Sequence, residues 1–511
     1  MFLVSTILII LLIYLYLKWN YSYWKRMGLA YLEPELIYGN TKEFLTRSLS
    51  FGDQFVKLYN QLKSRGLKHG GVFLMQRPTY MPIDLDIVKN ILQRDFSYFV
   101  NHGMFFNEEV DPLTGHLFNL EDEKWRKLRA KLTPTFTSGK MKMMFSTMVE
   151  CTEGLEHILE EYSRLQDGID IKDVASRFTT DVIGSVAFGI DCNSLKNPNS
   201  EFRQFAKKIF EQSTIRRLRN IFSTLVPRHI LIKFKYKQTN PEVEEFFMGV
   251  VESTVNYREK NNVYRKDFMH LLLQLKNRGT VVDDEQIIVK EERNKDGHFL
   301  TLNEVAAQCF VFFVAGFETS ATTMTFALLE LALNLDIQDK LRKEIESVLK
   351  KYGNNITYEA VMDMTYLDKV VHETLRKHPP IPGAPRVCNK PYTIPNTNVT
   401  LEVGTRVHIP FQAIQRDPEH YPDPEKFDPE RFSEENKAKR HPFAFIPFGE
   451  GPRICIGSRF GMLQAKVGLV SIIKNFKVTL NAKTPVPIRY TTKAFVTAVE
   501  GGVWLNVTKL E

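Results

Sequence analysis

A chain of 511 residues is long enough for two or three ordinary domains or one large one, and its 43% hydrophobic and 25% charged content excludes disorder. A net charge of +8 is a mild surplus with no basic tail and no zinc-finger spacing; it argues against nucleic acid and suits an acidic protein partner or membrane lipid. Five scattered cysteines (Cys151, Cys192, Cys309, Cys388 and Cys455), with no CxxC or Cys/His cluster, exclude a disulfide framework and a structural zinc site, so Cys455 needs an explanation of its own.

The first element is MFLVSTILIILLIYLYLK, which carries no charge before Lys18. It is short against the usual ~17–25 residues of a spanning helix but fits a thin bilayer such as that of the endoplasmic reticulum. A cleaved secretory signal would begin with basic residues and end on small ones. Here Lys18, Trp19, Tyr21, Tyr23 and Trp24 follow the apolar run, so residues 1–17 read as an uncleaved membrane anchor. Lys18, Lys25 and Arg26 keep the remaining chain cytosolic by the positive-inside rule, and the sequons at Asn355, Asn398 and Asn506 are then expected to stay unglycosylated. Residues 18–50 read as a linker and the start of the catalytic domain, and residues 51–511 as that domain.

Helical patterns dominate from Phe51 to Pro379, with breaks near Pro198, Pro227 and Pro241 and a charged, Gly-containing surface loop from Asn277 to about Gly297. The segment NIFSTLVPRHILIKFK mixes apolar residues with Arg and Lys beside a proline, and either dips into a bilayer or covers the core. Thr301 and Glu304 then form a T-x-x-E capping box, followed by an apolar run to about Leu333, which predicts a helix crossing the whole domain. Midway lies AGFETS, Ala315 to Ser320. Helix hydroxyls such as Thr319 and Ser320 commonly bond back to the preceding turn, but a buried Glu318 carboxylate is expensive, and Gly316 clears space for a flat ligand or a small gas. By itself the motif leaves core and site equally open.

Further on, ETLR places Glu373 and Arg376 at i,i+3 on a mostly apolar helix, and PEKFDPERF supplies Arg431 in a turn-forming stretch. A buried Glu373 bridging both arginines is the expectation. PRVCNKPYTIP, VTLEVGTRVHIPF and the tail FVTAVEGGVWLNVTKL have strand-like alternation, so small sheets attach to a large helical body. Near the end, FIPFGEGPRICIGSRFG surrounds Cys455 with glycines. A dinucleotide fingerprint fails here, because the third glycine and the ribose-binding acid are missing. Gly449, Gly451 and Gly457 let the backbone fold against a large planar ligand, Arg453 offers a fork for a carboxylate, and the helix that follows aims its N-terminal amides at the sulfur.

Taken together, these motifs resemble those of cytochrome P-450, the haem-thiolate monooxygenases, and more closely the insect microsomal detoxifying enzymes of family 6. The resemblance covers nearly the whole chain. Phe448, Gly451, Arg453, Cys455 and Gly457 match F-x-x-G-x-R-x-C-x-G; Glu373 and Arg376 match E-x-x-R; Arg431 matches the meander arginine. Ala315, Gly316, Glu318 and Thr319 match A-G-x-E-T, and Trp125 with Arg129 match W-x-x-x-R. The proline-rich hinge usual after the anchor is reduced to Pro34.

The resemblance implies a mainly α fold with small β-sheets, a long central helix over haem b, and Cys455 as the iron ligand. Trp125, Arg129, Arg386 and Arg453 would bind the haem propionates, and Thr319, with Glu318 less directly, would relay protons. It also implies a microsomal enzyme of the endoplasmic reticulum that inserts one oxygen atom of O2 into lipophilic molecules such as plant toxins or insecticides, or into a hormone or lipid. Electrons would come from NADPH through a flavin-bearing reductase, with cytochrome b5 as an occasional donor, docking by Lys127, Lys131, Lys439, Arg440 and Arg459. Phe105, Phe106, Phe118, Phe312, Phe313, Phe317 and Phe495 fall in stretches that line the family's pocket. A haem sensor or carrier, or a peroxide-rearranging isomerase or dehydratase, would not need Thr319.

Overall fold

The computed structural model describes residues 2–510 apart from 166, 211–217, 220–221, 224–225 and 282–298. Most of the charged loop read between Asn277 and Gly297, and four positions of the NIFSTLVPRHILIKFK segment, therefore lie outside the described residues.

The helices that matter here are α1 (Phe2–Tyr21), α2 (Phe51–Lys63), α3 (Asp122–Leu132), α4 (Ser138–Leu165), α5 (Ile171–Ile183), α6 (Glu201–Phe210), α7 (Pro241–Asn261), α8 (Phe268–Asn277), α9 (Leu302–Leu333), α10 (Leu335–Lys351), α11 (Thr365–Lys377) and α12 (Ser458–Asn475). The strands are β1 (His69–Leu74), β2 (Arg77–Pro82), β3 (Ile169–Asp170), β4 (Ala384–Val387), β5 (Tyr392–Thr393), β6 (Thr400–Leu401), β7 (Arg406–Ile409), β8 (Phe476–Leu480) and β9 (Trp504–Lys509). They form a four-stranded sheet in the order β1-β2-β7-β4, a three-stranded sheet β3-β9-β8 and the β5-β6 hairpin.

Helix α1 runs to Tyr21, past the expected end of the apolar run, and is exposed for most of its length until Leu17 and Tyr21 meet the body. The chain after it packs at once. Trp24 is fully buried, donates its indole N–H to the Val72 carbonyl at 3.1 Å, and lies so close over Gly71 that a Cβ there would strike its ring. Trp24, Leu29 and Leu32 share one apolar cluster with β1, β2 and α2.

Two of the expectations need correcting. The helical stretch after Phe51 is interrupted by the β1-β2 hairpin, where HGGVFL and RPTYMP pair antiparallel from His69–Pro82 to Leu74–Arg77, and by the short β3. The tail forms a strand only over Trp504–Lys509, pairing with β8, whose residues follow α12 without a break. A parallel crossover also joins β2 to β7 over more than 300 residues, which no local pattern signals.

Helix α9 forms as its capping box predicts: Thr301 accepts from Glu304 N–H, and Glu304 accepts from Thr301 N–H at 2.7 Å. Its 32 residues span about 48 Å, and its flanks pack against α5, α7, α11 and α12. Beside it, the charges of ETLR are wholly buried. Arg376 Nε and Nη2 donate to Glu373 Oε2 and Oε1 at 2.7 and 2.8 Å, Asp428 N–H donates to Glu373 Oε1 at 2.9 Å, and Arg431 Nε lies 3.5 Å from the same oxygen. Burial pushes the Glu373 carboxyl up from its ordinary range against the pull of Arg376, which measures how strongly this carboxylate depends on its partners. Truncating Glu373 to Ala leaves a buried, uncompensated guanidinium, and the expected loss is about 3–5 kcal/mol. Thermal melting and the yield of cofactor-bound protein check this; a melt within a degree or two of wild type would make the network peripheral.

Candidate active site

The site is assembled by a loop, a strand, and two helices. In the loop, Gly449 and Gly451 adopt φ of +71° and +74°, and a Cβ on Gly451 would run into the Leu92 carbonyl oxygen, so neither position tolerates another residue easily. The Phe448 carbonyl accepts from Cys455 N–H at 2.9 Å while its ring packs on the core. Gly457 is the N-cap of α12.

Cys455 is exposed by surface area, yet burial raises its thiol pKa. Both are true of a sulfur that opens onto an enclosed hollow rather than the outer surface. Burial is the larger influence; the Gly457 N–H and the nearby Arg129 charge act the other way and favour the thiolate. The expected set of helix amides is thus a single one.

Arg453 departs from its expected place on a carboxylate. Its Nε donates to Val100 O at 2.9 Å, Nη1 to Leu117 O and Phe118 O at 3.4 and 3.3 Å, and Nη2 to Leu120 O at 2.7 Å, with the guanidinium 4.2 Å from the Trp125 ring centre. Four carbonyls consume most of its donors, so Arg453 holds the 100–120 loop against α3. Gln308 of α9 holds the same loop from above: its Oε1 accepts from Leu117 N–H at 3.0 Å and its Nε2 reaches Gly115 O at 3.4 Å. A glutamine inside an apolar helical run was the signal for it in the sequence.

Three other expected donors have no acidic partner among the described residues. Arg386 is 2% exposed; only Nη1 is engaged, with the carbonyl of Pro385, and Nε has no partner. Burial alone pushes its pKa down to about 10, with no acid acting against it. Arg129 makes no ion pair or side-chain hydrogen bond among the described residues, and burial lowers its pKa as well. Trp125 is buried, and its indole N–H donates to nothing among the described residues. Arg453 feels the positive charges of both Arg386 and Arg129, so these groups converge. Buried cations without anions fit a ligand that brings its own negative charges, as the two carboxylates of haem do. His102 joins them: it is buried, its Nδ1 lies 2.9 Å from the Phe118 carbonyl, and burial with the charges of Arg386 and Arg453 drives its pKa well down. Sequence reasoning missed it, since a histidine in a loop gives no local sign.

On α9, Ala315 is exposed and Thr319, one turn later, is half-buried, within a helix otherwise largely buried. The Thr319 hydroxyl donates to the Ala315 carbonyl at 2.6 Å. Phe312, on the same side, packs 5.2 Å from the Phe136 ring, which in turn lies 3.9 Å from a Cβ built on Gly457, so this face of α9 borders the cysteine loop. Gly316 and Glu318 turn elsewhere. A Cβ on Gly316 would approach Ile183 of α5 to 2.9 Å, so the glycine serves the contact of two helices rather than space for a gas. Glu318 pairs with Lys172 Nζ at 2.9 Å, and that ammonium also donates to Thr322 at 2.7 Å. This lysine, 146 residues away in sequence, could not be foreseen.

The phenylalanines divide. Phe313 and Phe317 are buried in an aromatic cluster with Phe188, Phe202, Phe210 and Phe247, so they are core and not pocket lining. Phe495 packs on Phe51. Phe105 meets Tyr236, and Phe106 lies under the Arg228 guanidinium, which pairs with Glu121 at 2.5 Å. Phe118 remains 45% exposed.

The family model described as Cytochrome P450 matches residues 33–505. Probable cytochrome P450 6a13 of Drosophila melanogaster is 44% identical over 503 residues, covering 98% of this chain and 97% of its own. Cytochrome P450 6a2 of the same fly is 41% identical over 504 residues (98% and 97%), and cytochrome P450 6A1 of Musca domestica 42% over 509 (96% and 94%). With a model spanning most of the chain and relatives matched nearly end to end, the chain belongs to the cytochrome P450 family.

Proposed function

We propose that this P450 monooxygenase oxidises lipophilic foreign compounds, such as plant toxins or insecticides, at an endoplasmic reticulum membrane to which α1 anchors it, with NADPH-cytochrome P450 reductase as electron donor. The observation that carries the reading is the convergence of Cys455 with Arg129 and Arg386, which no acid neutralises among the described residues, and with the unused indole N–H of Trp125.

Haem, when bound, supplies the activation of dioxygen, with the thiolate ligand favouring O–O cleavage. Cys455 would be that ligand, with the Gly457 N–H steadying its charge. Arg386, Arg129 and the Trp125 N–H would hold the two carboxylates, and Gly449 and Gly451, both at positive φ and without side chains, would let the loop approach a flat ring. On α9, the Thr319 hydroxyl donates its hydrogen bond to Ala315 O and keeps lone pairs free to accept from a water. Glu318 reaches that face only by leaving Lys172, so the proton supply from solvent runs through a broken ion pair.

An apolar substrate suits the exposed Ala315 face, Phe312 and Phe118. Phe234 and Ile232, 77% and 44% exposed, favour a bilayer contact for their segment. Exposed Lys127 and Arg459, with Lys131, remain suited to steering an acidic reductase. Lys439 is paired with Glu435, and Arg440 is not free for docking: its guanidinium stacks 4.6 Å from the Tyr421 ring and 4.8 Å from that of Phe432.

Three substitutions test these roles. Cys455→Ala is expected to abolish the shifted carbon-monoxide band of thiolate-ligated haem, and a persisting band would sink the assignment. Arg386→Gln removes a buried, unneutralised cation: haem is expected to dissociate faster while the haem-free protein melts no lower than wild type. An equal fall in both forms would make Arg386 a structural residue. In Thr319→Ala the carbon-monoxide spectrum is expected to stay normal, while product per NADPH falls and hydrogen peroxide rises; an unchanged yield across several good substrates would reduce Thr319 to a satisfied helix hydroxyl.

A further inference from the structure

The four-stranded sheet carries a pair of charges that neither the cofactor nor the substrate uses. Arg406 opens β7 and stands in register with Thr79 of the parallel strand β2. Arg77 lies two residues before Thr79, and the period of two in a strand puts it on the same face. Both arginines are half-buried, and neither makes a side-chain hydrogen bond or ion pair among the described residues. Burial lowers the pKa of each, Arg77 lowers that of Arg406 further, and no acid offsets either. Two guanidiniums on one face of the sheet, partly shielded from bulk water, repel each other, and a dedicated anion removes that cost.

Their position indicates which anion. The β1-β2 turn, just before Arg77, is fastened to the end of α1: Asn20 Nδ2 donates to Gln76 O at 2.6 Å and the Tyr21 hydroxyl to Met75 O at 3.4 Å. The turn that leads into Arg406 is fastened to the short helix after α1, where the Tyr23 hydroxyl donates to Glu402 Oε2 at 3.0 Å. Both arginines thus follow turns that hold the chain where it leaves the apolar run. Around them Val403 and Ile37 are 62% and 58% exposed, and the loop carrying Ile37 closes on β1 through the Gly39–Leu74 bridge. Exposed apolar tips beside half-buried cations describe the level of a bilayer where acyl chains give way to phosphates.

We propose that Arg77 and Arg406 form a binding site for the phosphate of an anionic phospholipid headgroup, at the level where α1 leaves the bilayer. The proposal rests on reading α1 as an anchor. It does not depend on the substrate or the reductase.

The test uses the full chain with its haem, in an uncharged detergent, titrated with dioctanoylphosphatidylserine, dioctanoylphosphatidylcholine or inorganic phosphate and followed by thermal melting. Phosphatidylserine is expected to raise the melting temperature to a plateau, with half-saturation weakened about fivefold by Arg77→Gln and again by Arg406→Gln. Phosphatidylcholine and inorganic phosphate should do so only at far higher concentration. Without lipid, the two variants should melt no lower than wild type, since each relieves a like-charge contact. Arg77→Lys/Arg406→Lys, which keeps both charges, should retain more of the lipid effect than the double Gln variant. An unchanged half-saturation in the double Gln variant, a lower melt without lipid, or an equal effect of phosphatidylcholine would overturn the proposal; an equal effect of inorganic phosphate would assign the site to a free anion instead. Because the lipid is presented in micelles, these results are independent of whether α1 spans a bilayer, which alkaline extraction of membranes reads separately.

Discussion

A carboxylate with no exposure to water, Glu373, fixes more of this molecule than any other single group. It is held by Arg376, by the Asp428 amide and by the charge of Arg431. Arg376 also donates to the Gln415 carbonyl at 3.1 Å. The Gln415 side chain then accepts from Ile446 N–H at 3.0 Å, immediately before the loop that carries Cys455. The Tyr421 hydroxyl adds a bond to Ala444 O at 3.2 Å. The cysteine loop is thus placed from behind by a chain of buried polar bonds, each of which would be costly to break alone. From the front, Arg453 carries the constraint onward to the 100–120 loop, and Gln308 ties that loop to the central helix. Cys455, the 100–120 loop and helix α9 are positioned by one connected set of hydrogen bonds.

Against that background the cations without an acid beside them stand out. The core neutralises its buried charges: Arg258 pairs with Asp267 at 2.8 Å, Glu330 accepts from Lys377 at 2.8 Å and pairs with His378 at 2.7 Å. Arg386 and Arg129, whose charges both reach Arg453, are left unneutralised, and so are Arg77 and Arg406 on another face of the same sheet system. A folded chain that satisfies most of its interior ions keeps such groups only where an anion from outside completes them. The difference between the two sets is depth: the first opens onto the hollow around Cys455, the second onto the edge where α1 attaches.

Much of this was legible in the sequence because the chemistry is local. The capping box at Thr301 and Glu304, the i,i+3 spacing of Glu373 and Arg376, and glycines at positive φ beside Cys455 are all properties of a few neighbouring residues. What escaped depends on distance in sequence. Lys172 meets Glu318, Gln308 meets Leu117 and Arg453 meets Val100 across more than a hundred residues each. Residue type also misled where one property serves two ends. Gly316 has no side chain because Ile183 is there, and Phe313 and Phe317 face an aromatic core that has the same composition as an apolar pocket. The β1-β2 hairpin was missed because HGGVFL and RPTYMP are short and end at Met75, which takes positive φ without being a glycine.

The two sides of the hollow are held by forces of different kinds, and this bears on how the protein can change. The cysteine side rests on buried ions and glycines with no freedom, where a substitution costs the fold before it alters specificity. The opposite wall includes the 100–120 loop and the segment from Arg228 to Thr239, joined through the Arg228–Glu121 pair, the Phe105–Tyr236 contact and Asp111, which accepts from Gln238 and Thr239 N–H at 2.8 Å. Arg228 and Glu121 are 39% and 19% exposed, so their pair contributes little to stability and is cheap to exchange. Side chains such as Phe106 and Phe118 can therefore be exchanged while Arg453, bonded to backbone carbonyls and indifferent to side-chain identity, keeps the loop in place. A frame that recognises backbone on one side and buried charge on the other leaves side chains such as these as the least constrained part of the site.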